Sequence, residues 1–371
     1  MDELEPWLIL ARAPGIHAGV LSALVQRFAS PAAIVAATSA QLLNAGLAPQ
    51  AIAAIIKPDR RRIDADLEWI SQPRNAFVTC ESHFYPLLLA QISDPPIALY
   101  VRGNVEALSL PQLAMVGSRN PTAGGRETAG AFAAQLVRSG LAITSGLAIG
   151  IDAASHEGAL SAQGVTLAVC ATGVDTVYPR SHVALAASIA ECGALVSEFP
   201  LQTPPHKFHF PRRNRIISAL SLGTLVVEAA VHSGSLITAK YAADQCREVF
   251  AIPGSIHNPL ARGCHQLLRQ GAKLVESTED ILAELGPLAA ASHRQTTTET
   301  PTRTTRLSTA TLDKEYKILL DALGFDPAGI DQLVERSGLK PEAVASMLLI
   351  MELEGCIESM PGARYARTAL A

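Results

Sequence analysis

Between Ala76 and Leu285 the chain alternates short apolar runs with segments whose apolar residues recur at helical spacing. That alternation constrains the fold more than any other feature. The runs Leu113 to Gly117, Ala142 to Gly146, Thr166 to Cys170, Ala194 to Phe199, Thr224 to Glu228 and Glu248 to Ile252 each precede a turn and a helical pattern. After the first run, Ala129, Phe132, Ala133, Leu136 and Val137 form one stripe, and Gly140 closes that helix. Strands followed by helices in strict succession predict a mostly parallel sheet with helices on both faces, a Rossmann-like doubly wound α/β core over residues 76–286.

Two smaller regions flank this core. Residues 1–75 carry short helical stretches broken by turn signals. Pro14-Gly15-Ile16 leads into Val20, Leu21, Leu24, Val25 and Phe28, Ser30-Pro31 opens another helix, and Asn44-Ala45-Gly46 closes one. This reads as a helical module of sterile-alpha-motif or helix-hairpin-helix type. Residues 287–308, with the run His293 to Arg306, are polar and aperiodic and read as a linker. Residues 309–371 read as a winged helix, with helices from about Asp313 to Leu323, Ile330 to Arg336 and Pro341 to Glu354, and wing strands near Cys356-Ile357-Glu358 and Arg364-Tyr365-Ala366. Its third helix has no Lys or Arg after Lys340, so it lacks the donors a DNA-reading helix needs and is expected to contact another protein.

Composition narrows the function. The net charge of −4 over 371 residues argues against coating nucleic acid by bulk charge, so any polyanion must meet a local patch. The six cysteines are scattered with no zinc spacing, which predicts reduced thiols and no metal. No apolar run is long enough to span a bilayer, and the first residues, Met-Asp-Glu-Leu-Glu-Pro, do not resemble a signal peptide. The expected location is cytoplasmic, with no cofactor.

The patch is found between Phe199 and Val227, where Lys207, Arg212, Arg213 and Arg215 stand among His206, Phe208, His209 and Phe210 with no acidic residue. Guanidinium groups beside aromatic faces suit a polyanion whose bases can stack, namely single-stranded nucleic acid. The plainer reading is a solvated basic helix start. Ligands of an open parallel sheet bind beyond the carboxyl ends of its strands, and four loops there carry suitable residues. They are Gly117-Ser118-Arg119 through Gly125, Gly146 through Asp152, the basic segment with Pro211 at the first helical position, and Glu228 through Thr238 with Ser233-Gly234-Ser235. The Gly117 loop is expected to offer a helix N-terminus to an anion. It is not G-x-G-x-x-G, so a dinucleotide is not implied.

In this stretch the chain resembles the DprA/Smf family of bacterial DNA-processing proteins. The resemblance rests on Gly117-Ser118-Arg119-x-Pro121-Thr122, Ser145-Gly146-Leu147-Ala148-x-Gly150-Ile151-Asp152, Ala171-Thr172-Gly173 with Tyr178-Pro179-Arg180, Ser197-Glu198-Phe199-Pro200, Phe210 through Ile217, Ser233 through Ala239, and Ile252-Pro253-Gly254-Ser255. It implies a non-enzymatic homodimer that binds incoming single-stranded DNA without sequence preference, shields it and loads the RecA recombinase. It also implies that the last domain is a winged helix of the DML1-like kind. Carried over by position, Arg119, Lys207, Phe210, Arg212, Arg213, Asn214 and Arg215 would contact DNA, joined by Gly117, Ser118, Ser233, Gly234 and Ser235 from the small-residue loops. Four or five neutralised phosphates would give log K a salt slope of roughly −3.

Plainer roles are open for several of these. Phe210 or Phe208 would pack inward, Arg213 or Arg215 would pair with Glu198 or Glu228, and Arg119 would bind a loop carbonyl. The rival from another class is a Rossmann-like nucleotide hydrolase of the LOG or lysine-decarboxylase-like group, with Asp152, Asp175, Glu198, Glu228 or His156 as base. That group's Pro-Gly-Gly-x-Gly-Thr signature is absent here.

Overall fold

The computed structural model describes residues 3–293, 314–323, 327–353, 356–360 and 364–367. The chain divides into two compact units, Met1–Arg294 and Gln295–Ala371.

The first unit is built on nine strands: β1 Asn75–Thr79, β2 Ala98–Gly103, β3 Gln112–Val116, β4 Ala142–Ser145, β5 Thr166–Val169, β6 Ala194–Ser197, β7 Gly223–Val226, β8 Glu248–Ala251 and β9 Lys273–Leu274. Their order across the sheet is β1-β2-β6-β5-β4-β3-β7-β8-β9. Strands β3 to β9 are parallel, while β2 runs antiparallel to β6 and β1 antiparallel to β2. Every residue of β3 to β7 is buried, as expected for strands covered on both faces. From β3 the chain steps outward through β4, β5 and β6, then returns to the other side of β3 to lay down β7, β8 and β9. The order therefore reverses between β3 and β7, and the loops leaving these two strands diverge to open a crevice.

Six helices precede the sheet: Glu5–Arg12, Ala18–Phe28, Pro31–Val35, Ser39–Asn44, Pro49–Ile56 and Arg60–Ile70. Ser30 caps the third through the Ala33 N–H, and Thr38 with Gln41 forms a capping box on the fourth. This module does not stand apart from the sheet. Leu8, Leu24, Ile34, Leu42 and Ile55 share one core with Tyr100 of β2 and Ile189 of the Val183–Cys192 helix. A buried carboxylate joins the two layers. Asp66 accepts two hydrogen bonds from Arg12, at 2.7 and 2.6 Å, and one from the Tyr100 hydroxyl at 3.1 Å.

The helix Thr278–His293 continues through 287–293, residues the composition assigns to a linker, and 294–308 lie outside the described residues. The second unit has helices Lys314–Leu323, Ile330–Ser337 and Pro341–Leu353. Its strands are β10 Ala328–Gly329, β11 Ile357–Met360 and β12 Arg364–Arg367, in the order β10-β12-β11. Leu319, Leu333, Val344, Leu348, Met351 and Ile357 form its core. Gly338, at φ +67°, closes the second helix in the left-handed conformation that spares it a Cβ clash. The third helix presents Ala345, Ser346, Leu349 and Ile350 to solvent, so its outer face lacks the cations that reading DNA requires.

Candidate nucleic-acid interface

A groove of about 720 Å³ runs along the carboxyl edge of the sheet at the β3/β7 crevice. It gathers ten of the twelve predicted residues: Gly117, Ser118 and Arg119 from the loop after β3, Lys207, Phe210, Arg213 and Asn214 from the basic segment, and Ser233, Gly234 and Ser235 from the loop after β7. The remaining two, Arg212 and Arg215, are not among its lining residues.

Two glycines allow the loops to converge. Gly150 adopts φ +86°, and a Cβ there would lie 2.4 Å from the Ser118 carbonyl oxygen, which instead accepts the Ile151 N–H at 3.1 Å. Gly146 lies against the Arg213 guanidinium, where a Cβ would fall 2.3 Å from Nη1. The basic helix spans His209–Ala219, two residues earlier than predicted, so Pro211 occupies its third position. Proline is still tolerated there because first-turn N–H groups have no intrahelical partner.

The basic side chains divide into two groups. Arg119 and Lys207 are exposed, and neither has an ion-pair partner among the described residues. The Arg119 guanidinium lies 5.4 Å from the centroid of the half-buried Phe210 ring, and Tyr178 meets that ring edge-on at 6.0 Å. Lys207 Nζ sits 5.1 Å from the ring centroid of Phe208, which is 68% exposed. Neither aromatic is core filler.

Arg213 and Arg215 correct the sequence expectation of an open row of guanidinium groups. Arg213 is only 4% exposed. Its Nη1 donates to the carbonyls of Gly146 and Val169, the latter at 2.5 Å, and its Nε donates to Asn214 Oδ1 at 3.1 Å. These bonds hold the ends of β4 and β5 to the basic helix. Burial lowers the Arg213 pKa, opposed by the Asp152 charge, while burial raises that of Asp152, opposed by Arg213. Arg215 is buried too, and donates through Nη2 to Glu198 Oε2 at 2.6 Å and through Nη1 to the Asp94 carbonyl. Arg212 also reaches Glu198 Oε2, at 3.0 Å, from a half-exposed position over Phe199. Glu198 sits in that pair with its pKa raised by burial against the pull of both arginines.

The helix start after β3 differs as well. Its anion comes from within the chain. Glu228, at the end of β7, accepts the Thr122 N–H at 2.9 Å and the Thr122 hydroxyl at 2.7 Å, and its carboxylate lies so close to Gly125 that a Cβ there would be 2.4 Å away. The N-terminus of the Ala123–Arg138 helix is thus already neutralised. Glu228→Ala is expected to destabilise the protein by about 2 kcal/mol. Inorganic phosphate should then raise the melting temperature of the variant more than that of wild type.

The residues a hydrolase would use are likewise engaged. Asp175 accepts the Gln202 N–H at 2.9 Å, and Asp152 accepts the Ala148 N–H at 3.3 Å. His156 is fully buried, bonds through Nδ1 to Thr166 at 2.7 Å, and has its pKa pushed down to about 3 by desolvation. Tyr178 escaped the sequence reading as a groove residue. Its signal was an aromatic before a proline in the loop following β5, a segment that returns to the strand ends.

Fold and site define a Rossmann-like protein whose switch-point crevice is an open groove with exposed cations on aromatic faces. Residues 76–286 match the family described as DNA recombination-mediator protein A, and residues 303–363 match the DprA winged helix domain. The chain belongs to the DprA/Smf family. Protein Smf of Escherichia coli (strain K12) is 44% identical over 306 residues, covering 82% of this chain and 80% of that protein. The X-ray structure of DNA processing protein A from Streptococcus pneumoniae superimposes with a TM-score of 0.67 at 33% identity, over 76% of this chain and 97% of that one. A structure of DNA processing protein A from Helicobacter pylori, described for its single-stranded DNA binding mode, gives 0.52 at 28% identity, over 57% and 96%.

Proposed function

We propose that this protein binds single-stranded DNA in the switch-point groove without sequence preference, protects it during DNA-mediated transformation and, as a homodimer, loads the RecA recombinase onto it. The observation that carries the reading is the pairing of unpartnered cations with accessible rings, Arg119 on Phe210 and Lys207 on Phe208. Cations meet phosphates, and rings accept bases of any identity. Family membership and the Helicobacter pylori protein's single-stranded DNA binding support the same ligand. The acids that would serve a nucleotide hydrolase are spent on loop N–H groups, a helix start and an ion pair, which favours a binding role over an enzymatic one.

With Arg213 and Arg215 turned inward, two free cations per groove replace the four or five first expected. The slope of log K against log salt should then be about −1.4 for a single strand. Gel-shift titrations of single- and double-stranded oligonucleotides across a salt series test this. Equal affinity for both forms, or no binding of either, would sink the reading, as would release of free base from a nucleoside monophosphate. RecA assembly on the same oligonucleotide, with and without the protein, tests the loading step.

A further inference from the structure

On its Lys207 flank the groove borders a second group of side chains that do not line it, His206, Phe208, His209 and Arg212. Their rings form one continuous cluster. Centroid to centroid, Phe208 lies 5.1 Å from His206, His206 lies 5.5 Å from His209, and His209 stacks on Phe199 at 4.3 Å. The Arg212 guanidinium stands 5.6 Å from the Phe199 centroid, with 55% of its side chain exposed. Its one acidic partner among the described residues is Glu198 Oε2, at 3.0 Å, an oxygen that Arg215 also takes at 2.6 Å. One carboxylate oxygen thus serves two guanidinium groups, and the outer one keeps charge to offer.

We propose that His206, His209 and Arg212 form a phosphate seat for the strand where it leaves the groove past Lys207, and that filling the seat takes up a proton on the imidazoles. The inference rests on the single-stranded DNA reading above. His209 Nδ1 faces the Ala171 carbonyl at 3.2 Å, and a carbonyl only accepts, so the neutral ring has its hydrogen on Nδ1 and a lone pair on Nε2. A lone pair repels a phosphate oxygen, whereas the protonated ring donates to it. Desolvation pushes the His209 pKa down, and the charges of His206 and Arg212 push the same way against the carbonyls of Ala171 and Pro204. The other charged groups here are Lys207 on the preceding loop, Glu198, held by the two arginines, and Asp175, turned to the Gln202 N–H. A phosphate among these cations offsets their mutual repulsion and raises the imidazole pKa. Affinity therefore climbs as pH falls through the raised pKa of the complex, and levels off below the lower pKa of the free protein.

The test uses the full chain and a labelled thymidylate oligomer, titrated by fluorescence anisotropy across a salt series at about pH 8 and about pH 6, either side of the ordinary imidazole range. Affinity is expected to be about tenfold higher at the lower pH, as for one added hydrogen bond between charged groups. The slope of log K against log salt should steepen from about −1.4 to about −2.1, one further phosphate. His206→Gln and Arg212→Gln, both at exposed positions, and His209→Gln should each lose most of that gain. His232→Gln, which alters the imidazole inside the groove, should keep it. Equal affinity and slope at both pH values overturn the seat while leaving the groove reading intact, and so does a gain that survives the first three changes and vanishes with the fourth. Failure of the oligomer to bind at either pH overturns both readings.

Discussion

Replacing Arg119 and Lys207 together by alanine is expected to cut affinity for single-stranded DNA by roughly a hundredfold or more while leaving the melting temperature unchanged. These are the two exposed cations of the groove, and neither has an ion-pair partner among the described residues. A hydrogen bond to a charged group contributes about 1.5–3 kcal/mol, so losing two removes some 3–6 kcal/mol, above two decades in Kd. Because each stands over an aromatic ring at the surface, truncation leaves no buried group without a partner. The salt slope should flatten toward zero, since counterion release follows the phosphates neutralised. Fluorescence anisotropy across a salt series, with a thermal melt of each variant, separates binding from folding. Retention of a labelled oligonucleotide at wild-type strength by the double variant would refute the assignment.

Gly146→Ala is expected to act in the opposite way, through stability first. The new methyl would stand 2.3 Å from Arg213 Nη1, inside contact distance, and the guanidinium must leave the carbonyls of Gly146 and Val169. Breaking a buried charged network by disturbing one member costs about 3–5 kcal/mol, which at a few degrees per kcal/mol corresponds to a fall in melting temperature of roughly 10 °C. Gly124→Ala is the matched control, because a Cβ there meets nothing within 4 Å and its backbone needs no positive φ. Equal melting temperatures for the two variants would show that the Arg213 anchor does not hold the strand ends together.

The parallel core was legible because β3 to β8 are apolar runs whose burial needs no partner more specific than the next strand. The antiparallel pair β1 and β2 was not. β2 follows Pro95-Pro96 and carries Arg102, and its strand character comes from pairing with the edge of β6, a tertiary contact that no local pattern announces. β9 has two residues and no periodicity to read.

The basic residues split by where they sit: Arg119 and Lys207 stand in loops outside the His209–Ala219 helix and are exposed, while Arg213 and Arg215 lie within it and are buried. Arg213 lies one turn before both Ile216 and Ile217, the residues that mark the buried face, so its inward turn was written in the spacing but outweighed by its charge. Arg215 lies on the far side of that helix. Its burial depends on Glu198 and Asp94, which come from other parts of the chain. Glu228 was visible as an acid at a strand end, but its reach to Thr122 spans 106 residues of sequence and belongs to the fold alone.

That carboxylate also bears on competition between ligands. In many open α/β proteins the first helix after the central strand grips the phosphate of a lone nucleotide. Here the berth is filled by the chain's own side chain, so a free mononucleotide finds only scattered surface charge. A long strand draws on several weak contacts at once. The metabolite pool should therefore be a poor rival for the groove, and the protein stays available to a polymer that is far scarcer.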